Sequence, residues 1–347
     1  MSRYHAGVSQ EGNNEEHRIA ILILNLGTPD GAEPTAIRRF LAEFLWDPRV
    51  VESSRPLWWV ILNGIILHRR PRQRAKEYAS MWSEEEGFPL LSITRKQAKG
   101  LGRILSERFG DRFRVIYAMR YGSPAVNIEL QKLAKQGFQR LLVLPLFPQY
   151  SATTTASAFD AVVRELGQWR RIPEVRFVHG YHTHPDYLDV LSQSIRNHWS
   201  KFGRSQRLLF SFHGIPTSYV ESGDPYPVYC RQTAEQVAKR LQLDASAWEV
   251  VFHSRIGRKP WTQPYTDKVL EDLPHQGVAS VDVICPGFSA DCLETLEEIG
   301  KENRDLFLKS GGTAYHYIPA LNEDPAHLEA LSTLVEKHAQ GWKELAE

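Results

Sequence analysis

The sequence predicts an α/β protein of two similar doubly wound domains, each built on a four-stranded parallel sheet. Three observations support this. Short apolar runs that start after polar residues and stop at Gly or Pro recur eight times along the 347 residues, interleaved with longer stretches of helical spacing. The runs lack the strict alternation of a strand with one wet face, as befits strands covered on both sides, and the helical stretches suit right-handed parallel crossovers. The stretch "GYHTHPDY", 180–187, parts the eight runs into four and four. Eight successive strands could also close a barrel; two open sheets facing across a cleft are expected instead.

Taken in order, residues 1–18 read as a loose polar tail, since they have neither an apolar core nor a small-residue cleavage site. Strands are expected at "IAILILN" (19–25), "FRVIYAMR" (113–120), "RLLVLPLF" (140–147) and "VRFVHGY" (175–181), within a first domain of residues 19–178. A second domain, 179–324, takes "RLLFSFH" (207–213), "EVVFHSR" (249–255), "VDVICPG" (281–287) and "AYHYIP" (314–319). A C-terminal helical segment within 325–347 is free to pack back on the first domain. The first domain also holds an apolar lip, 57–90, that opens on "LWWVILNGIIL" and runs at once into "HRRPRQR". Eleven apolar residues are too few to span a bilayer, which takes about 20. The lip is therefore either a core helix or a partly exposed edge whose Trp58 and Trp59 face lipid or a greasy ligand.

Composition narrows the function. Forty-two Lys and Arg almost cancel 41 Asp and Glu, so no net field draws the chain to nucleic acid. Three cysteines without a CxxC pair argue against a disulfide framework or a structural zinc site and fit a reducing cytoplasm. No GxGxxG follows the first strand and no GxxxxGK[ST] occurs, so the usual nucleotide phosphate cradles are missing. "SATTTAS" (151–157) reads as polar turn residues capping a helix, or as a place for an anion at a helix start.

Ligands of open parallel sheets bind beyond the carboxyl ends of the strands, and the reactive residue types gather there. His213 closes the fifth strand, just before Gly214. Alone it could be a hydrogen-bonded core residue; as a neutral imidazole it could take a proton or hold a divalent metal. After the seventh strand Asp291, Glu294, Glu298 and Glu302 enter one helix, the three glutamates at i, i+4 and i+8. Each step of four drifts by about 40° on an α-helix, and a widening to a π turn would bring the carboxylates further into line. Such a ladder repels itself unless cations or protons intervene, although a solvated acidic face would account for its first members. A histidine facing these carboxylates suits a divalent cation and proton removal in one place. Arg120, Tyr121, Trp261 and Phe288, with arginines 69, 70, 72 and 74 at the rim, describe a pocket for a large planar ligand bearing carboxylates.

With these residues the sequence closely resembles the ferrochelatase family in its proteobacterial form. The matching elements are "NLGTPD" (25–30), "SFHGIP" (211–216), "GDPYP" (223–227), "SRIGRKPWTQPYTD" (254–267) and "CPGFSADCLETLEEI" (285–299), and only residues 1–18 lie outside the likeness. The resemblance implies a chelatase-like, Rossmann-like fold and a lyase that inserts Fe(II) into protoporphyrin IX, forming protoheme with release of two protons. His213 and Glu294 are the implied catalytic pair, with Glu298 and Glu302 as further metal residues. Arg120, Tyr121, Trp261 and Phe288 are implied to line the porphyrin pocket, and Arg70 to meet a propionate. No cofactor beyond substrate iron is implied. The chain ends in "GWKELAE", without the cysteine-bearing extension of animal members, so no iron–sulfur cluster is expected. A cytoplasmic enzyme is expected, with peripheral contact to the inner membrane face through the Trp58/Trp59 lip. Departures from the family pattern are Cys292 where many relatives have His, Leu26 where others have Tyr, and His253 where Gln is usual; His253 reads as structural. The rival readings are another tetrapyrrole chelatase, a heme or metal carrier without turnover, and a metal-dependent hydrolase.

Overall fold

The computed structural model of the chain describes residues 4–7, 18–257 and 259–342. Its strands are β1 (His5–Gly7), β2 (Ile19–Thr28), β3 (Phe113–Gly122), β4 (Arg140–Pro145), β5 (Trp169–Arg171), β6 (Glu174–Phe177), β7 (Arg207–His213), β8 (Trp248–His253), β9 (Ser280–Ile284) and β10 (Ala314–Ile318). Every run read as a strand is one, with ends moved by a few residues. Two short strands were not anticipated. In the stretch read as a loose tail, residues 5–7 pair in parallel with β5, and a side chain at Gly7 would strike the Arg171 carbonyl at 2.5 Å. The other residues of that tail, save Tyr4 and Arg18, lie outside the described residues.

Two four-stranded sheets form, not a barrel. Their orders are β3-β2-β4-β6 and β8-β7-β9-β10, and all pairings are parallel. In each, the first strand lies inside, the second joins one side of it, and the third and fourth extend the other. The direction of winding therefore reverses beside β2 and beside β7, where such sheets bind ligands.

The chain divides into two compact units. The first takes the described residues up to Leu146, with Ala152–Gly180 and those from Glu323 on; the second takes Phe147–Ser151 and Tyr181–Asn322. In the first, Leu22, Leu24, Ala118 and Val143 of the sheet pack with Leu130 and Leu133 from the helix Val126–Lys135 and with Val162 from the helix Ser157–Leu166. The helix Pro325–His338 belongs to this unit. Asp324 caps its start, accepting from the Ala326 N–H at 2.8 Å. Arg108, in the helix Pro89–Phe109, donates to Ser332 Oγ at 2.9 Å and to Glu336 at 2.8 Å. Gly100 lets the two helices meet, since a Cβ there would lie 2.4 Å from Leu328 Cδ1.

The apolar lip resolves into three pieces: a helix Arg55–Ile61, a π turn Leu62–Ile66 and a helix Leu67–Met81 that contains Pro71. Proline has no N–H for the carbonyl four residues back. That carbonyl, Leu67, accepts from Arg38 Nη1 at 2.9 Å instead. The two tryptophans part company. Trp58 packs toward Leu45, Leu62 and Leu67 and donates from its indole to the Leu45 carbonyl at 2.7 Å, whereas Trp59 is 57% exposed beside exposed Leu57, Val60 and Ile65. Among the described residues no helix is long and apolar enough to cross a membrane.

In the second unit, strand parity decides what meets what. Leu209, Val251, Val281, Val283 and Tyr315 share one face, where they pack with Ile299 and Phe307 from the helical segment 294–309. Counting by twos along β7 and β8 from Leu209 and Val251 puts Ser211, His213 and His253 on that same face. His213 and His253 are register partners across the two strands.

Candidate active site

His213 is the last residue of β7, at the carboxyl edge where the winding reverses, and is half-buried. Its Nδ1 lies 2.7 Å from the Gly214 carbonyl. A carbonyl can only accept, so Nδ1 carries a proton, and in the neutral ring the lone pair falls on Nε2. Gly214 sits in a crowded turn: a Cβ there would come 3.1 Å from the His253 carbonyl and 3.3 Å from Trp261 Cε3, tighter than ordinary contact. The close approach that this glycine permits is thus to Trp261, whose ring lies beside the histidine turn. The Trp261 indole donates to the Ile256 carbonyl at 3.0 Å, which fixes the ring.

Behind His213, His253 is buried and bonds through Nδ1 to Ser211 Oγ at 2.8 Å, while its Nε2 has no hydrogen-bond partner among the described residues. Burial, and then the nearby His213, hold its pKa well below the usual histidine range, so the ring is neutral. Phe288 stacks on it, the ring centroids 5.8 Å apart and the planes at 27°.

The acidic ladder lies on a π-helical segment, Glu294–Glu302. The widened turn that would align the carboxylates is present, and the Tyr315 hydroxyl takes the Ile299 carbonyl within it at 2.7 Å. Lys301 pairs with Glu297 at 2.5 Å, leaving Glu294, Glu298 and Glu302 as a separate row. The row is not uniform. Glu294 and Glu298 are half-buried; Glu302 is exposed at the far end. Glu298 accepts from the Ser254 N–H at 2.8 Å and from the Ser254 hydroxyl. Ser254 follows β8 with φ +59°, a left-handed conformation rare for a non-glycine residue, and there it turns both donors on one carboxylate. Burial raises the Glu298 pKa above the ordinary value; Ser254 and His213 pull it down, Glu294 pushes it up, and the net shift is upward. That mutual influence places His213, Glu294 and Glu298 in one neighbourhood. Among the described residues they do not form a tripod of ligand atoms within 4.8 Å of one another.

Two other residues of this helix start are structural. Asp291 is buried and accepts from Thr295 Oγ1 at 2.9 Å, the Tyr317 hydroxyl at 2.6 Å and Asn322 Nδ2 at 2.7 Å. Cys292 is a buried thiol, and burial followed by the Glu294 carboxylate pushes its pKa far up, so it packs as a protonated thiol and not as a soft ligand.

The first domain departs further from expectation. Arg120 and Tyr121 do not present themselves as a ligand wall. Tyr121 is 0% exposed and its hydroxyl donates to Asp47 Oδ2 at 2.8 Å. Arg120 donates through Nε to the Ser157 carbonyl at 2.9 Å and Ser157 Oγ at 2.7 Å, and through Nη2 to Asp47. Burial alone would raise the Asp47 pKa; Ser157, the Arg49 N–H, Tyr121 and Arg120 together outweigh it and hold the carboxylate ionised. The reason is topological: β3 delivers both residues toward a carboxylate 73 and 74 positions earlier, and a buried guanidinium must be neutralised there. Asp47, Ser157 and Ser254 were not foreseen, because each matters only through a partner distant in sequence. Arg70 is half-buried, with no hydrogen bond or ion pair among the described residues; burial and then Arg74 lower its pKa.

Comparison with known proteins gives the family. Residues 18–339 match the family Ferrochelatase. The chain belongs to the ferrochelatase family. It is 50% identical over 336 residues to a ferrochelatase of Marinobacter nauticus, covering 97% of this chain and 90% of that protein. It is 51% identical over 338 residues to one of Thioalkalivibrio sulfidiphilus, covering 97% and 91%. Among solved structures it is similar in fold to the chelatase SirB of Bacillus subtilis bound to Fe3+, with a TM-score of 0.55 at 12% identity, covering 95% of this chain and 99% of the other. Like other ferrochelatases the enzyme is a lyase.

Proposed function

We propose that His213 and Glu294 are the pair through which this enzyme inserts ferrous iron into protoporphyrin IX, making protoheme and releasing two protons. The observation that carries the proposal is the state of His213: its Nδ1–H is committed to the Gly214 carbonyl, leaving the Nε2 lone pair to remove a pyrrole proton or meet the metal. Glu294, beside the raised carboxyl of Glu298, supplies a carboxylate to attract the dication and to receive protons that leave the ring, whose own charge is unchanged by the exchange. Glu298 is held by Ser254 and takes a proton more readily than an ordinary glutamate, which suits it to pass protons along the π segment to exposed Glu302. Catalysis by such a pair demands a bent ring, because a flat macrocycle shields its N–H groups, and binding the bent form preferentially lowers the barrier.

Trp261 and Phe288, held beside His213 and His253, provide the aromatic surface for the ring, and Arg70 is the candidate for a propionate. Arg120 and Tyr121 act in support, by ordering the Asp47 network. The exposed face of Trp59, Leu57, Val60 and Ile65 is suited to peripheral contact with a bilayer, as a cytoplasmic enzyme using an apolar porphyrin would need.

The test is His213→Ala. Porphyrin binding, read by the Soret shift, should persist while Fe(II) and Zn(II) insertion falls to background. Wild-type turnover by this variant would remove His213 from the mechanism.

A further inference from the structure

The sheet face opposite His213 holds a second group of metal-ligating side chains. Within "VDVI", Val281 and Val283 face the core shared with Ile299, so Asp282 between them turns to the other side, where it is fully buried in an inner strand. His316 of β10 is its register partner and turns the same way. His198 approaches them from the helix Pro185–Phe202. Among the described residues these three alone bring ligand atoms of three side chains within 4.8 Å of one another.

Asp282 is held rigidly. Its Oδ2 accepts from the Trp199 indole at 2.7 Å and the Ser205 N–H at 3.1 Å, and its Oδ1 from the Ser205 hydroxyl at 2.7 Å. Oδ1 also lies 3.1 Å from His316 Nδ1. If the cluster served only to satisfy a buried carboxylate, these bonds would suffice and His198 would be superfluous. Yet the His198 side chain is only 9% exposed, and its Nε2 sits 3.9 Å from Asp282 Oδ1 with no hydrogen-bond partner among the described residues. That separation is too long for a hydrogen bond. Two donors on one tetrahedral ion with bonds of roughly 2.0–2.2 Å stand about 3.3–3.5 Å apart, and the observed 3.1 and 3.9 Å bracket that spacing.

We infer that His198, Asp282 and His316 form a binding site for a divalent first-row transition cation, separate from the site of iron insertion. Two imidazoles and one carboxylate are a borderline donor set, suited to zinc, cobalt or ferrous iron and poorly to calcium or magnesium. Trp199 and Ser205 supply the outer hydrogen bonds that aim the carboxylate. His316 is partly exposed and opens the position to solvent, so the ion has a path in and a place for water. A bound cation would tie the end of the helix Pro185–Phe202 to the edge of the sheet.

The full chain is stripped with chelator and titrated with Co2+ alone, in the His213→Ala background so that the insertion site contributes little. One equivalent should bind with the visible ligand-field band of a low-coordinate cobalt site, and Zn2+ should displace it and raise the melting midpoint. Adding His316→Ala, at a position exposed enough to tolerate it, should abolish both the band and the midpoint shift, while the metal-free midpoint reports that the chain is folded. Equal cobalt uptake with and without His316, or no uptake by the His213→Ala chain, overturns the inference. Neither result depends on porphyrin metallation, so the assignment of His213 stands or falls separately.

Discussion

Asp47→Asn tests whether Arg120 is internal wiring or a substrate contact. In the wild type the Asp47 and Arg120 side chains are 4% and 9% exposed, and the carboxylate also accepts from Ser157 at 2.6 Å and Tyr121 at 2.8 Å. Asparagine keeps the volume and some of the hydrogen bonds but removes the charge, stranding a guanidinium in a dry site. Breaking a buried pair from one side costs about 3–5 kcal/mol. For a domain of this size, each kcal/mol moves a melting midpoint by about 2–4 °C, so the first domain should unfold about 6–20 °C earlier. Scanning fluorimetry followed by circular dichroism reads this directly. Arg120→Met should restore part of the loss when added to Asp47→Asn, because it removes the uncompensated cation. Were Arg120 a substrate ligand, Arg120→Met would raise the porphyrin KM and leave the midpoint alone. An Asp47→Asn midpoint within about 2 °C of wild type, the scale of an inert surface change, would refute the reasoning.

Glu298→Gln should alter the pH dependence of stability in a definite sense. The folded pKa is raised above the ordinary 4.5, so between the two values the folded chain holds the proton more tightly than the unfolded one. The stability linked to that proton is present below the ordinary carboxylate range and is lost as pH rises through the folded pKa. The glutamine chain should therefore gain on wild type from acid toward neutral pH; parallel denaturation profiles would count against the shift. Trp59→Ser with Val60→Ser should lower cosedimentation with vesicles of anionic phospholipid several-fold and leave insertion in detergent near wild type. A wild-type chain that fails to sediment with vesicles would end the proposal of membrane contact.

How far the sequence reaches depends on the range of the interactions involved. Apolar runs bounded by turn residues are local, so all eight principal strands and the two-sheet division were legible, and Arg207–His213 has the limits read for it. β1 and β5 were not, because three-residue strands exist only through each other. The acidic row was visible as a spacing of four, and the structure supplies the π turn that the sequence named only as a way to bring the carboxylates further into line.

The sequence by itself determined the fold class, the strand-end position of His213, and the acidic helix that follows the seventh strand read from it, since periodicity and turn chemistry are written in neighbouring residues. Only the tertiary structure decided which polar groups are already spoken for. It tied Arg120 and Tyr121 to Asp47, gave Glu298 to Ser254, separated half-buried Trp58 from exposed Trp59, and left His198 Nε2 beside Asp282 without a hydrogen bond among the described residues. Those outcomes rest on contacts between residues tens of positions apart, where the cost of burying a charge or a donor is settled by whatever the fold brings next to it.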